Sequence, residues 1–287
     1  MMDVTAIILT KNEELNLPDC IKSLDGFVKR IVVVDSYSTD NTVKIASSMG
    51  ADVYQNVFVN NAIQFNWALD NVSIDTKWTL RLDADEMLTP ILCDELSKLM
   101  SEHDCDEVNG IIIEARLFFM GKEIKHGCHN KRKLKLFKTG FGRSEQRNVD
   151  EHNILLSGKS IYSKNKFIHY DYKDLTNWIN KMNWYASRET QDYFEFIKGK
   201  NEAITGNDHV INITRKMKYG VYYKLPLFFR SWLLFIYNYF FKLGFLDGKE
   251  GFVYHWMYHR WYRCLVDAKI IEKQITKKTL EEIADQK

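Results

Sequence analysis

The stretch RIVVVDSYSTDNTVKIASSMG, residues 30–50, decides the fold. It opens on β-branched residues, Ile31 to Val34, and ends that run at Asp35. So short and continuous an apolar run suits a strand buried on both faces. A polar turn follows, then a helical stretch closed by Gly50, a residue that favours helix ends. The same order flanks it. TAIILT (5–10) reads as a buried strand ending in the polar loop TKNEE. Leu15, Leu17, Ile21 and Leu24 then give one apolar helix face over roughly 14–25. ADVYQN, NAIQFNWALDNV and KWTLRLDAD continue as strand, helix and strand. This alternation predicts an α/β fold with a doubly wound, mostly parallel sheet. Such sheets bind ligands beyond the carboxyl ends of their strands, so residues 10–13, 35–40 and 83–86 are expected on one rim.

Composition narrows the function classes. The chain has 287 residues, 45% of them hydrophobic and 27% charged, ordinary values for a globular protein with a packed core. A formal net charge of +2 does not suit a general nucleic-acid binder. Five scattered cysteines without a CxxC pair fit reduced thiols, hence a cytoplasmic setting, better than a disulfide framework. The first residues lack the basic and long apolar regions of a signal peptide. His126, Cys128 and His129 cluster in HGCHNKRKLKLFK (126–138), but no second ligand pair stands at zinc spacing. That segment reads as a basic loop beside the site, suited to phosphates or an anionic acceptor.

In RLDADEML (81–88), Asp83, Asp85 and Glu86 fall within four positions after a buried strand. Carboxylates that close repel one another and resist losing water, so a positive partner is expected among them. The alternative is a solvated acidic turn, with Asp85 capping a helix. Glu86 suits a supporting or helix-start charge better than a ligand.

The segments ILTKNEE, VVVDSYSTDNTVKIA and LRLDADE, in that order and spacing, resemble the inverting family 2 glycosyltransferases with the GT-A nucleotide-sugar fold. The resemblance is close over the first 90 or so residues. It continues more loosely through RSEQRNVDEHNI to LGFLDGKEGFVYHWMYHRWYRCLVDAKI, a tail similar to that of bacterial enzymes of lipopolysaccharide core, capsule or exopolysaccharide assembly. It implies that Asp83 and Asp85, a DxD pair, hold Mg²⁺ or Mn²⁺ against the diphosphate of a UDP-sugar. Hard oxygen ligands suit those cations. It also implies that Asp35 and Ser38 of a DxSxDxT segment, with Thr10, Lys11, Asn12 and Glu13, contact base and ribose. Asp40 belongs to the same segment and also reads as an N-cap for the helix from Asn41. Gln64 and Asn66 lie where relatives carry polar residues facing the diphosphate. Phe65 stands where relatives are often basic, with Arg81 as a candidate substitute.

An inverting transfer needs a base for the acceptor hydroxyl. By the resemblance, Glu151 of RNVDEHN is the first candidate base and Asp150 the second, and His152 completes the metal shell or steers the acceptor. A turn salt-bridged to Arg143 and Arg147 is the structural alternative.

Residues 1–160 are therefore expected to form the nucleotide-sugar-binding and catalytic domain, and 161–287 a helical, aromatic-rich region for acceptor and membrane interface. Residues 164–200 look helical. KLPLFFRSWLLFIYNYFFKLGF (224–245) is strongly apolar and has no acidic residue, with Lys224, Arg230 and Lys242 spaced along it. Its longest uncharged run falls short of the ~20 residues that span a bilayer. A helix lying in an anionic membrane surface is expected, with a buried helix or a subunit contact as the alternative. The expected protein is a peripheral enzyme on the inner face of the cytoplasmic membrane. It would transfer a hexose to a lipid-linked oligosaccharide or lipid A-core acceptor. A polyprenyl-phosphate sugar synthase and a non-catalytic nucleotide-sugar-binding protein are the rival readings.

Overall fold

The computed structural model describes residues 1–128, 132–145, 152–199 and 209–284, so Asp150 and Glu151 lie outside the described residues. The chain divides into two compact units, Met1–Glu123 with His129–Lys173, and Ile124–Cys128 with Asp174–Lys287.

The first unit begins in the expected order: β1 (Met2–Thr10), α1 (Leu17–Lys22), β2 (Val28–Asp35), α2 (Thr42–Ser48), β3 (Asp52–Gln55), α3 (Asn61–Asn71) and β4 (Trp78–Asp83). β5 (Glu86–Met87), α4 (Pro90–Glu102), β6 (Val108–Phe119), β7 (Lys122–Ile124) and β8 (Arg132–Lys138) follow. β9 (Gly142–Ser144), β10 (Asn153–Leu155), β11 (Lys159–Tyr162) and β12 (Phe167–His169) complete the strands. Among the described residues, one sheet runs β3-β2-β1-β4-β8-β6-β12-β5, with β7 and β11 also on β6, while β9 and β10 pair separately. β3, β2, β1 and β4 are mutually parallel. β8 runs antiparallel to β4 and β6.

Both faces of the parallel strands are covered, which is why they read as unbroken apolar runs. Ile8, Val33 and Leu80 pack with Leu17, Ile21 and Leu92 on one side. Ile7, Val32 and Val34 pack with Phe65 and Ala68 on the other. Register then sets the rim. Gln55 pairs with Asp35, Asp35 with Thr10, and Leu9 with Asp83, so the strand ends form one row.

Two expectations about this unit are corrected. The basic stretch is not a loop: Arg132–Lys138 is β8, placed in the sheet between β4 and β6. Leu136 packs into the core on one side of the sheet and Leu134 on the other. Residues 164–200 are not helical throughout: β12 occupies Phe167–His169, and the helix starts only at Leu175, capped by Asp174, which accepts from Asn177 N–H at 2.8 Å. β11 and β12, which close the sheet after residue 160, belong to the first unit.

The second unit is helical: α5 (Leu175–Ile197), α6 (His209–Gly220), α7 (Phe229–Ile236), α8 (Gly248–His255) and α9 (Tyr262–Ala284), with π-helical turns at Tyr237–Phe241 and Trp256–Trp261. Met182 and Ala186 of α5 pack on Tyr262, Val266 and Ile270 of α9. Buried charge is paired within it. Arg230 donates through Nε to Asp267 Oδ1 at 2.8 Å, and both side chains are fully buried. Arg230 is therefore no part of an exposed cationic edge, as the sequence suggested. Residues 124–128 also belong here. Asp247 accepts from the backbone N–H groups of Lys125 (3.0 Å) and His126 (2.8 Å), and its other oxygen lies 2.8 Å from His126 Nδ1. Among the described residues no helix is long and apolar enough to cross a membrane.

Candidate active site

Two loops at the rim are stitched together by short polar side chains. Asn12 takes a left-handed backbone (φ 55°), which asparagine tolerates, and its N–H donates to Ser38 Oγ at 2.7 Å. In return Asn12 Oδ1 accepts from Thr39 N–H at 2.8 Å. Glu13 N–H donates to Thr42 Oγ1 (2.7 Å), and Glu14 N–H to Asp40 (3.2 Å). Asp40 also accepts from Thr42 N–H at 3.0 Å, so it ties down the turn before α2 while Asn41 holds the N-cap position. Burial pushes the Asp40 carboxyl up, but the hydrogen bonds from Thr42 and Glu14 outweigh that and hold it below the usual range.

Asp35 is fully buried and is the knot of this region. It accepts from Thr10 Oγ1 (3.0 Å), Ser38 N–H (2.8 Å), Ser38 Oγ and Gln55 Nε2 (3.4 Å). Gln64 is likewise buried: it donates to Ser36 Oγ at 3.1 Å and accepts from Asn56 Nδ2 at 2.8 Å. Asn66 clasps the Ser144 backbone with both ends of its amide, at 2.9 Å each. The structure thus shows Gln64 and Asn66 spending their amides on the framework. Lys11 stays exposed at the loop surface.

The acidic cluster is met by cations from the chain itself. Glu86 is fully buried, accepts from Asp83 N–H at 2.9 Å and pairs with Lys135 Nζ. Asp83 is partly open and has Lys133 at 3.7 Å, Lys135 at 3.9 Å and Arg81 at 4.0 Å. Burial raises the Asp83 pKa, yet these three cations hold it well below the carboxylate range. Burial also lowers the Lys135 ammonium against the pull of Glu86. A bulge leaves Lys135 without a register partner on β6, and Lys135, like Lys133, reaches Glu86. Arg81 lies over the Phe65 ring, 4.9 Å from its centroid, and donates to Ser144 Oγ and Asn153 Oδ1 at 2.7 Å each. The apolar Phe65 thus supports the arginine proposed to replace its missing charge.

Asp85 faces a residue the sequence did not single out. His169 Nε2, at the end of β12, lies 3.3 Å from Asp85 Oδ2. The segment after His169 is gripped by the first loop. Asn16, nearly buried, donates to Asp171 (2.9 Å) and Glu13 (2.7 Å) and accepts from Tyr172 N–H (2.8 Å). Lys173 donates to Glu13 at 2.6 Å. Burial pushes the Glu13 carboxyl up and nearby Asp85 adds to it, against the pull of Lys173.

Asp85 and His169 form a carboxylate–imidazole pair that fits a hard divalent cation whose other ligands come from phosphate and water. His152 is not gathered with Asp83 and Asp85: among the described residues no three of His, Cys, Asp and Glu converge as metal ligands. Its carbonyl instead accepts from Glu145 N–H at 2.9 Å, at the mouth of the β9–β10 hairpin. Asp150 and Glu151, the two base candidates, lie outside the described residues.

An α/β sheet whose acidic and polar loops gather at the carboxyl ends of its parallel strands has the architecture that binds ligands at that rim. The family model described as Glycosyl transferase family 2 matches residues 5–156, more than half of the chain. The chain belongs to that family and is a glycosyltransferase of the GT-A fold. It is similar to an uncharacterized glycosyltransferase of Rickettsia typhi (strain ATCC VR-144 / Wilmington), 26% identical over 67% of this chain and 68% of the relative. It is also similar to the lipopolysaccharide core biosynthesis glycosyltransferase LpsC of Rhizobium meliloti (strain 1021), 31% identical over 50% of this chain and 53% of LpsC. A looser likeness is to glucosyl-3-phosphoglycerate synthase from Mycobacterium tuberculosis, solved with Mn²⁺, UDP and glucosyl-3-phosphoglycerate. There the TM-score is 0.32, with 21% identity over 40% of this chain and 44% of that one.

Proposed function

We propose that the chain transfers a hexose from a UDP-sugar to a hydroxyl of a lipid-linked glycan, with inversion, in assembly of a bacterial surface polysaccharide such as the lipopolysaccharide core. The observation that carries this reading is the meeting of Asp85 with His169 beside the Lys133–Asp83–Arg81 cluster, on the rim that Thr10 and Asp35 also line. The kinship to LpsC supports the acceptor class.

Asp85 and His169 would hold Mg²⁺ or Mn²⁺, which supplies Lewis-acid stabilisation of the leaving diphosphate. Lys133 and Arg81 add positive charge at the same rim, and the burial of Arg81 strengthens its share. The stitched loops of residues 10–14 and 35–42 present the surface for base and ribose, with Asp35 fixing their shape. Glu151, or Asp150 in its place, removes the proton of the acceptor hydroxyl as that oxygen bonds the anomeric carbon and the UDP oxygen leaves.

Thermal-shift titration with UDP, UDP-glucose and UDP-N-acetylglucosamine, with and without Mn²⁺, tests this. A ligand bound at 100 times its Kd stabilises by ~2.7 kcal/mol, so melting should rise with UDP and metal together. Asp85→Asn should abolish the metal-dependent part. No shift with any UDP compound would sink the donor assignment.

A further inference from the structure

In water an amphipathic helix turns its apolar stripe inward and its polar side outward. The segment from α7 into the following π-helical turn does the reverse. Phe229, Trp232, Leu233, Ile236, Tyr237 and Phe240 recur at spacings of three and one, and all are exposed. Phe241, next in line, is 75% exposed. Arg230, Ser231 and Asn238, with Phe235 among them, lie on the other side and are buried. The reversal is locked in place. Arg230 is paired with Asp267, whose Oδ2 also accepts from Phe228 N–H at 2.6 Å. Ser231 donates to Phe228 O at 2.7 Å and accepts from Arg260 at 2.9 Å. Asn238 donates to Leu234 O at 2.8 Å. Rolling the helix to hide its rings would tear Arg230 from Asp267 and Ser231 from Arg260.

The exposed rings extend beyond one helix. Trp232 touches Trp256 with centroids 5.8 Å apart, Trp256 stacks on Phe252 at 6.0 Å, and Tyr239 joins Phe252 (5.7 Å) to Phe240 (5.1 Å). A continuous apolar face of this kind marks a partner surface, unlike scattered exposed leucines.

We propose that this face docks on a lipid bilayer, lying in the plane of the headgroup–acyl boundary. Tryptophan and tyrosine, apolar bodies with a polar tip, suit that boundary. The exposed cations Lys224 and Lys242 flank the face, and residues 221–246 contain no Asp or Glu. Anionic headgroups complement that edge. A second copy of the chain, docked face to face about a two-fold axis, would bring the cationic segment 221–246 onto itself with no carboxylate within that segment to meet it. With Arg230 sealed against Asp267, insertion of the rings contributes most of the binding and charge adds to it. This inference stands apart from the donor chemistry.

Flotation of the full chain with phosphatidylcholine vesicles, and with phosphatidylcholine mixed with phosphatidylglycerol, tests the proposal without any donor present. Binding to both is expected, tighter to the anionic vesicles, with high salt removing only that increment. Replacing Phe240 and Phe241 by Ser should lower partitioning to both by about tenfold or more, with melting temperature and donor turnover unchanged. Absence of binding to either vesicle, or binding untouched by the substitutions, overturns the proposal. So does a dimer in light scattering that the same substitutions split, since the face would then belong to a second copy.

Discussion

The acidic rim and the core of the helical unit both bring ammonium or guanidinium groups against carboxylates out of water, and they end differently. At the rim, the sealed Lys135–Glu86 pair lies beneath Asp83 and Lys133, which are partly open to solvent. Charge there is graded from buried to exposed, so its field reaches whatever binds outside. In the helical unit, Arg230 and Asp267 are closed off entirely beneath a skin of exposed rings. A sealed pair exerts little outward field and acts as an anchor. The contrast shows that buried charge alone says nothing of catalysis; its path to the surface does.

The largest effects belong to the open site. Glu151→Gln should slow transfer by about 10²–10⁴-fold with donor affinity nearly kept, measured as kcat against donor KM. A normal rate in Glu151→Gln with a crippled Asp150→Asn exchanges their roles. Asp85→Asn should cost about 10²–10³-fold, several kcal/mol of transition-state stabilisation, and EDTA should mimic it. Unchanged rates under both treatments would remove the metal from the mechanism.

Next come the two sealed pairs. Glu86→Gln and Asp267→Asn each take the nearest carboxylate from a buried cation and should each cost ~3–5 kcal/mol in denaturant unfolding. Only Glu86→Gln should also raise the donor KM, because Lys135 then competes for Asp83. An equal rise in KM for Asp267→Asn breaks the contrast.

The smallest effect is one of pH. Burial holds the His255 imidazole below its ordinary pKa of 6.5, against weaker upward pulls from the His126 carbonyl and Asp247. Between the folded and unfolded pKa the unfolded chain binds more protons, so stability falls as pH drops below about 6.5. The slope is at most ~1.4 kcal/mol per pH unit for one proton. Asp40, depressed instead, keeps its contribution until the pH falls through the carboxylate range. Hydrogen exchange at pH 5.5 should therefore loosen peptides of α8 before those of α2; the opposite order would refute this.

Much of the first unit was legible because its strands are buried on both faces and its turns carry short polar residues. β4 ends at Asp83, α3 covers the segment around Phe65, and the three clusters share a rim, all as read from local pattern. What escaped the sequence is non-local. His169 sits on a three-residue strand that exists because β6 and β5 flank it, and such pairing leaves no periodicity behind. Lys133 and Lys135 read as part of a basic loop beside the site, although their alternation with Leu134 and Leu136 was the strand signal available. Arg230 misled for the opposite reason: its partner Asp267 is 37 residues away.

The grip of Asn16 on the segment after His169 also orders events in time. Asn16 and Asp171 are 155 residues apart, an interval a ribosome takes roughly 8–30 s to translate at ~5–20 residues per second. For the 84 residues between Asp85 and His169, roughly 4–17 s of it, the nascent chain carries Asp85 without the imidazole that faces it. Chains halted before residue 169 thus lack the imidazole of the proposed cation site, and such chains should show no metal-dependent shift in melting.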